Sequence, residues 1–493
     1  MSDSYDIEGR GMAGLTLTRA AGLLDKRELT SVRLTGQALE RAKLNESNAY
    51  IHINENALKA AAESDARRAA GKALSLIDGA PVALSDNICV GGMPMTCASK
   101  TLETFVPPYT ATVAERLFAA GAVLTGKLNI DEFAASDTGL TSVYGPIRNP
   151  HDNTRSAGGS SGGAAAAVAE GSALFALGID TGGGIRQPAA LCGVVGFKPT
   201  YGLVSRYGMT AYASSMDQPG IACATAEDCA LVLSLIAGRD SRDACSLPAP
   251  APVYTAGMAG VAGEAGANDL KGVRIGVPIE YLKPMADEEL ARGARDAINR
   301  LREAGAVVEE CSLPYSVYAR GAYNIISAVE FNSNMNRYDG VKFGFRAKNY
   351  DGYEDMLVKT RSQAFGREVK QRIMFGVYSV TGGRFETVYL KAAKIRTLII
   401  EDFRNAFGKH DLLLTPAVVG RAPLIGPDNA DTTGGFDANY CFAASGLAGL
   451  PAISLPWAKD KEGMPVGIQL IGPALSESLI LRVARGLELA REQ

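Results

Sequence analysis

The sequence predicts an α/β fold in which strands and helices pack in layers. From about residue 80 onward, short apolar runs that end in glycine or asparagine alternate with helical stretches, which is typical of α/β proteins. The composition is that of an ordinary globular protein, with 47% hydrophobic and 21% charged residues among 493. A chain of this length can bury a large core without disulfide bonds.

The first third of the chain supplies helices and then strands. Residues 15–72 are predicted to be helical, because leucines and valines recur at helical spacing and an alanine-rich segment follows. Buried strands are predicted at Pro81–Leu84, Ala122–Thr125 and Leu174–Ile179, with a helix over Thr112–Ala120 between the first two. This alternation predicts that the strands share one sheet.

A proline-, alanine- and glycine-rich stretch over residues 246–270 predicts a linker-like excursion. Such a segment could separate two domains, or the later strands could join one large sheet. We expect the second arrangement, with residues 12–493 as a single domain. The later elements are predicted as strands at Val273–Val277, Ala306–Glu309, Asp411–Thr415, Ala452–Leu455 and Val466–Ile471, and as helices at Asp287–Ala304 and Glu477–Arg491.

The first residues are predicted to be an expression tag, and we expect the protein to work in the cytoplasm. Ile7–Arg10 reads as a protease cleavage site, so residues 1–11 are left out of the functional argument. The segment has no hydrophobic targeting core. The longest apolar stretch, Ala164–Gly178, carries Glu170 and is shorter than the roughly 20 residues of a membrane span. Scattered cysteines without a secretory leader are typical of a reducing compartment.

Charge and ligand-type residues exclude several classes of function. Lysine and arginine number 50 against 53 aspartates and glutamates, for a net charge of −3, so no global basic surplus indicates nucleic-acid binding. Eight cysteines without a Cys-x-x-Cys pair and only three histidines make a metal site improbable. We therefore expect no metal, no cofactor, no direct nucleic-acid contact and no membrane.

Two dense glycine clusters are the most informative feature. They cover Gly158–Gly163 and Thr181–Gly184, and the second follows a predicted strand. Glycine allows close backbone approach, so successive N–H groups can converge on one anionic oxygen as an oxyanion hole or anion nest. Tight packing turns are the alternative explanation. A phosphate-binding P-loop is excluded, because neither cluster ends in Gly-Lys-Ser/Thr.

Together with other segments, these clusters resemble the amidase signature family over nearly the whole chain after residue 12. Within that family the resemblance is greatest to the glutamine-hydrolysing A subunits of aspartyl/glutamyl-tRNA amidotransferases. It implies the family's fold, a large mixed β-sheet between helices. The further segments that carry it are Asp86–Ile88, Thr96–Lys100, Phe105–Pro108, Cys192–Gly202, Arg337–Gly340, Glu368–Met374, Leu447–Pro451 and Pro465–Gly472.

The resemblance implies a catalytic site with two of its three groups replaced. Family members use a lysine base, a bridging serine in a cis peptide and a nucleophilic serine. The bridging serine matches Ser160, but Gly184 stands at the nucleophile position and Ser85 at the lysine position. Gly184 has no group that could attack a carbonyl, and removing a serine nucleophile costs on the order of 10⁶ in turnover. The nest at Thr181, Gly182, Gly183 and Gly184 is retained.

A rebuilt hydrolytic site is the alternative. Ser156, Ser160, Ser161 and Thr181 lie near the lost nucleophile in sequence, and Ser85 is expected to face the same pocket. None of them has an evident base, because the histidines lie outside these motifs. Lys127 and Lys198 belong to segments that the family carries anyway and are interpreted as structural lysines.

The resemblance also implies a pocket for an amino-acid-like ligand. The tyrosine, arginine and aspartate that hold the substrate in the family's glutamine-hydrolysing members correspond to Tyr323, Arg372 and Asn439. An arginine fork suits a carboxylate, while asparagine in place of aspartate removes a charge that would bind an α-ammonium group. We therefore expect a carboxylate-bearing ligand other than plain glutamine, and the loss of the lysine and serine side chains predicts a larger pocket.

Three functions are compatible with this sequence: a pseudoenzyme, an enzyme repurposed for non-hydrolytic chemistry, and an amidase inactivated on purpose. Deliberate inactivation predicts isolated changes to alanine, so natural divergence is favoured. The retained Ser160, glycine nest, Tyr323 and Arg372 favour a protein that binds or transforms a carboxylate-bearing small molecule without amide hydrolysis. The alternative is an A-type component of a tRNA-dependent amidotransferase, or an amide hydrolase, that is inactive or uses a rebuilt site. As an amidotransferase component it would need a B-type partner subunit.

Overall fold

A computed structural model describes residues 12–248, 252–257, 270–282, 288–426 and 439–492. The predicted tag, residues 1–11, and most of the 246–270 excursion therefore lie outside the described residues. No helix in the described ranges is long and apolar enough to cross a membrane.

The described chain contains thirteen β-strands, eleven of which form one mixed sheet. The strands are β1 Tyr50–Ile53, β2 Pro81–Ser85, β3 Val123–Leu128, β4 Arg148–Asn149, β5 Asp152–Ser156, β6 Phe175–Asp180, β7 Val195–Lys198, β8 Gln218–Cys223, β9 Arg274–Pro278, β10 Val307–Cys311, β11 Leu412–Pro416, β12 Ala452–Lys459 and β13 Pro465–Ile471.

Strand order in the large sheet is β1-β3-β2-β6-β8-β7-β12-β13-β11-β9-β10. The pairs β3–β2, β2–β6, β11–β9 and β9–β10 are parallel, and the others are antiparallel. Strands from both sides of the excursion are thus hydrogen-bonded into the same sheet. This confirms the predicted α/β fold with a large mixed sheet.

Helices cover the sheet and bring the ligand-pocket residues toward it. The α-helices are α1 Leu17–Asp25, α2 Ser31–Leu44, α3 Ala57–Ala69, α4 Thr112–Ala119, α5 Gly162–Ala169, α6 Arg186–Cys192, α7 Ala226–Ile236, α8 Ile279–Leu282, α9 Glu288–Glu303, α10 Ala319–Met335, α11 Gly352–Ala364, α12 Arg367–Val380, α13 Leu390–Phe407, α14 Ala443–Leu447 and α15 Glu477–Glu492. Helix α10 packs against α12 and α13, and α6 packs against β7 and β12.

The helical prediction for residues 15–72 is wrong at one point, because β1 interrupts it. Asn45 ends α2 with a left-handed backbone conformation (φ 44°), and β1 then pairs antiparallel with β3 at the sheet edge. The strand is only four residues long and partly exposed, so its short apolar run does not stand out from the helices on either side.

Helix α5 is buried on all sides, which explains its composition of glycine, alanine and valine. A Cβ atom on Gly163 would lie 2.4 Å from the Asn129 carbonyl oxygen, so only glycine permits this approach of the helix to the chain after β3. The helix begins directly after Ser160 and Ser161 and therefore fixes the first glycine cluster close to the sheet.

Candidate functional site

The second glycine cluster follows β6 and rests on a buried ion pair. Asp180, the last residue of β6, accepts hydrogen bonds from Arg186 Nη2 (2.8 Å) and Nε (2.9 Å), and both side chains are fully buried. Burial alone would raise the pKa of Asp180, but the charge and hydrogen bonds of Arg186 hold it below its ordinary value. The carboxylate therefore stays ionised beneath the glycine turn.

One of the four nest residues points its donor away from the pocket. The Gly183 N–H donates to Asp180 Oδ1 at 2.9 Å, and Gly183 is not part of the cavity wall. Thr181, Gly182 and Gly184 do line the cavity. The anion nest predicted over Thr181–Gly184 therefore has one N–H donor fewer for a ligand, because the Gly183 N–H is hydrogen-bonded to the Asp180 carboxylate.

The structure brings Ser160 next to Gly184. The Gly159–Ser160 peptide bond is cis, and the Ser161 N–H donates to the Gly184 carbonyl oxygen at 2.9 Å, which ties the two clusters together. A Cβ atom on Gly184 would lie 2.9 Å from Ser160 Oγ. Position 184 is thus directly beside the Ser160 hydroxyl, closer than a Cβ atom and an oxygen normally approach.

Ser85 is near these residues in the sheet but is not in the cavity wall. It ends β2, which pairs with β6, and it is fully buried. Its hydroxyl makes no hydrogen bond to any described residue. The expectation that Ser85 faces the ligand pocket is therefore not met by the described cavity, because a serine side chain is too short to reach it.

The alternative nucleophiles differ in their partners. Thr181 Oγ1, in the cavity wall, donates to Asp217 Oδ1 (2.7 Å), while Ser156 Oγ donates to the Thr138 carbonyl oxygen. Ser161 Oγ accepts a hydrogen bond from the Ile179 N–H (3.3 Å). Lys127 Nζ donates to the Ile88 carbonyl oxygen, and Lys198 Nζ donates to the Pro199 carbonyl oxygen (3.1 Å).

Burial lowers the pKa of Lys198 to about 7, with the charge of Arg186 acting in the same direction. A neutral lysine near pH 7 could act as a base. Neither Lys127 nor Lys198 lines the cavity that contains Ser160, however, so neither is placed to accept that serine's proton.

Arg372 is the only arginine of the described cavity wall, and it is held by two partners. Its Nε donates to Glu368 Oε1 (3.0 Å) and its Nη1 to the Tyr212 hydroxyl (2.8 Å). Burial alone would lower the pKa of Arg372, but Tyr212, Glu368 and Asp137 hold it above its ordinary value. Its guanidinium therefore remains a permanent cation, and Nη2 makes no hydrogen bond to another described residue.

Tyr323 packs against the glycine turn. A Cβ atom on Gly182 would lie 2.5 Å from the Tyr323 ring, so the ring packs directly on the backbone at that glycine. Burial raises the pKa of Tyr323 well above its ordinary value, which keeps its hydroxyl protonated as a hydrogen-bond donor. Tyr323, Arg372 and Asn439 all line the same cavity as Ser160.

The cavity is narrow. Its volume is about 20 Å³, room for little more than one water molecule. The space at position 184 is restricted, because the Ile179 carbonyl oxygen lies 2.6 Å from where a Cβ atom on Gly184 would be. A ligand of amino-acid size therefore needs some wall residue to move.

The sequence argument missed one charged residue of this cavity, Asp137. Its Oδ2 accepts a hydrogen bond from Asn439 Nδ2 at 2.7 Å. Burial raises the pKa of Asp137, the Arg372 charge opposes that rise, and Glu368 adds to it. No motif marks Asp137 in the sequence, because its partner is 302 positions away.

The cavity wall brings together charged, hydroxyl and backbone groups. The cavity offers a cation at Arg372, a carboxylate at Asp137, two hydroxyls at Ser160 and Tyr323, and backbone at the glycine turn. Ser160 Oγ makes no hydrogen bond to a described side chain, so no base activates it. Within the described ranges no three histidine, cysteine, aspartate or glutamate side chains cluster as metal ligands would.

Comparisons with known proteins place the chain among amidases. The amidase family model matches residues 33–481. The glutamyl-tRNA(Gln) amidotransferase A subunit of Moorella thermoacetica is 46% identical over 481 residues, which cover 97% of each chain.

Two solved structures extend the likeness to three dimensions. The crystal structure of the glutamyl-tRNA(Gln) amidotransferase A subunit from Thermotoga maritima has a TM-score of 0.77 at 33% identity and covers 97% of this chain and 96% of that one. Native peptide amidase from Stenotrophomonas maltophilia has a TM-score of 0.80 at 29% identity, with 98% of each chain covered.

Proposed function

Because the chain belongs to the amidase signature family, we propose that it is a protein of the amidotransferase A-subunit type that binds an amino-acid-like carboxylate or amide without hydrolysing it by the family's serine chemistry. The observation that carries this proposal is the pairing of Ser160 with Gly184. A hydroxyl at position 184 would stand beside Ser160, and glycine supplies none.

The loss of hydrolysis follows from the chemistry of these two positions. An acyl-enzyme needs a nucleophile, and a neutral base must take that nucleophile's proton. Gly184 cannot form the covalent bond, and the Ser85 hydroxyl is neither basic near neutral pH nor part of the cavity wall. Backbone donors alone leave only about 10³–10⁴-fold catalysis over water in a serine protease stripped of its triad.

Retained ligand binding is supported by the surroundings of Arg372. Its two protein partners fix the guanidinium plane at the cavity wall, so a carboxylate can meet a pre-oriented fork. Tyr323, whose ring packs on the glycine turn, adds a hydroxyl-bearing side chain to the same cavity. The Arg372 side chain is only 18% exposed, and a chain that had only to keep its fold would have no need for a partly buried cation beside a water-sized cavity.

The test is calorimetric titration of the full chain with L-glutamine and L-glutamate, together with an assay for released ammonia. We expect saturable binding of at least one probe, no ammonia above background, and at least about ten-fold weaker binding to Arg372→Ala. Arg295→Ala is the matched control, because Arg295 is an exposed arginine on α9 paired only with Glu288. No binding of either probe, or equal binding to Arg372→Ala, would overturn the proposal.

A second candidate function is that of a component in a tRNA-dependent amidotransferase. It is favoured by the 46% identity to an amidotransferase A subunit over 97% of both chains. In such an assembly a B-type subunit would carry the kinase and tRNA sites. Because this chain would not hydrolyse glutamine, the assembly would have to use free ammonia. Co-expression with a B-type subunit from the same genome tests this. A complex that survives gel filtration supports it, and a monomer or homodimer counts against it.

We also propose that residues 12–493 form one domain and that the protein works in the cytoplasm. Hydrogen bonding of strands from both sides of the 246–270 excursion into one sheet supports the first point. The eight free cysteines support the second, because a reducing compartment keeps thiols free.

A further inference from the structure

We propose that Asp137 is a specificity-determining residue that binds the α-ammonium group of the ligand, so that the protein selects free α-amino acids over carboxylates without an amino group. The inference rests on the proposed function, since it names the ligand class of the same cavity. It also replaces the expectation, drawn from Asn439 alone, that the ammonium-binding charge is lost.

The geometry shows that the negative charge is adjacent to position 439. Asn439 Nδ2 lies 2.7 Å from Asp137 Oδ2, and both residues line the cavity with Ser160 and Arg372. The family resemblance places an aspartate at position 439. In this chain that residue is neutral, and its hydrogen-bond partner carries the charge instead. The cavity therefore keeps one carboxylate at nearly the same place.

Hydrogen bonds from one glutamine hold the backbone of Asp137 close to the peptide that carries Ser160. Gln187 Nε2 donates to the Asp137 carbonyl oxygen (3.2 Å), and the Gln187 Oε1 accepts from the Gly159 N–H (3.0 Å). One glutamine thus positions both Asp137 and the peptide that carries Ser160. A Cβ atom on Gly159 would also lie 3.1 Å from the Asp137 carbonyl carbon, so this loop cannot move independently of Ser160.

The charges in the cavity match a zwitterion. Arg372 supplies a permanent cation for an α-carboxylate, and Asp137 supplies the anion for an α-ammonium group. Glu368 is already hydrogen-bonded to Arg372 Nε, which leaves Asp137 as the anion on the cavity side. The partners of the two groups differ, because Arg372 pairs with Glu368 while Asp137 Oδ2 accepts its hydrogen bond from Asn439.

The narrow cavity is consistent with this assignment. In the structure without ligand, the Asn439 amide donates to the carboxylate where an ammonium group would donate. A charged ammonium is the stronger donor to a carboxylate, so an amino acid can displace the Asn439 side chain. That displacement also widens a cavity that otherwise holds about one water molecule.

The experiment compares L-glutamine with N-acetyl-L-glutamine, which keeps the carboxylate and side chain but has no ammonium group. For the wild-type chain we expect at least about ten-fold tighter binding of L-glutamine in calorimetry, the scale of a hydrogen bond to a charged group. Asp137→Asn should lose this preference. The double variant D137N/N439D, which moves the carboxylate to the other partner of the hydrogen bond, should regain it.

The outcomes separate this inference from the proposed function. If the wild-type chain binds both probes equally, or Asp137→Asn keeps the ten-fold preference, Asp137 does not recognise the ammonium group while the ligand proposal stands. If neither probe nor L-glutamate binds, the proposed function itself fails. The melting temperatures of both variants show whether they are folded, and the return of selectivity in the double variant could not come from a merely structural role.

Discussion

The hydroxyl oxygen of Ser160 lies 2.9 Å from the point where a Cβ atom on Gly184 would stand, and the Ile179 carbonyl oxygen lies 2.6 Å from that point. Both distances are shorter than real Cβ contacts, so any side chain at position 184 would require its neighbours to shift. The position from which the family's nucleophile would project therefore has no free space beside this backbone.

Gly184→Ala should destabilise the protein by about 1–3 kcal/mol, the usual cost of forcing a methyl group into a packed site. The methyl group would press on backbone at Ile179, which cannot rotate away. Gly36→Ala is the control, because Gly36 lies inside helix α2 with open space around it, and there alanine should stabilise by about 0.5–1 kcal/mol. Chemical denaturation measures both. An unchanged midpoint for Gly184→Ala would show that the site is still open.

Gly184→Ser should not restore amide hydrolysis. The new hydroxyl would lie near Ser160, but Ser85 stands where the family has the lysine that takes the nucleophile's proton, and Ser160 Oγ is hydrogen-bonded to no described side chain. Ammonia release from L-glutamine should stay at the wild-type background. Turnover by this single variant would mean that a base outside the lost lysine position, such as Lys198, reaches the cavity.

Arg186→Ala should destabilise the protein by about 3–5 kcal/mol, because it leaves the fully buried Asp180 carboxylate without its cation. The matched change Arg274→Ala removes an exposed ion pair with Asp411 and should cost no more than about 1 kcal/mol. Urea denaturation of the two variants gives the comparison. Similar midpoints would contradict the supporting role of this pair beneath the glycine turn.

Much of the fold could be predicted because most strands are short apolar runs bounded by glycine or asparagine. The strand predicted at Leu174–Ile179 is Phe175–Asp180 in the structure, and the one at Val466–Ile471 is Pro465–Ile471. Strand β1 escaped prediction because an edge strand is buried on one side only and carries a weak apolar signal.

Site residues could be predicted only where they belong to sequence motifs. Ser160 and Gly184 lie in glycine-rich segments, each of which is recognisable in the sequence without knowledge of the fold. Asp137 lies in a loop that matches no motif. Its place in the candidate site is recognised only from its hydrogen bond with Asn439, a residue that comes near it only in the folded chain. The lack of space around Gly184 could not be predicted either, because a sequence shows which side chain is absent but not how its neighbours pack.

Stability should depend on pH through Glu132, which accepts hydrogen bonds from Ser99 Oγ (2.5 Å) and the Gly366 N–H (2.9 Å) at the start of α12. Burial raises the pKa of Glu132 from 4.5 to about 7, against the opposing effect of these hydrogen bonds. The folded state therefore binds more protons than the unfolded state between these values, so stability falls as pH rises from about 4.5 to about 7 and is constant above.

Glu132→Gln removes this titration and keeps an acceptor for the Gly366 N–H. Between pH 5 and pH 8, the free energy of unfolding of the wild-type chain should fall by about 2 kcal/mol relative to the variant. Denaturation of both proteins in parallel cancels the contributions of other carboxyl groups. A constant difference between the two proteins would show that Glu132 has an ordinary pKa.

The most direct test of the central claim is ammonia release from L-glutamine by the wild-type chain, by itself and with a B-type subunit, with Ser160→Ala measured beside it. The cavity has glycine at position 184, and Ser160 Oγ is hydrogen-bonded to no side chain in the described part of the chain, so we expect both proteins to give the same background signal. Ammonia production above background that disappears in Ser160→Ala would contradict the account.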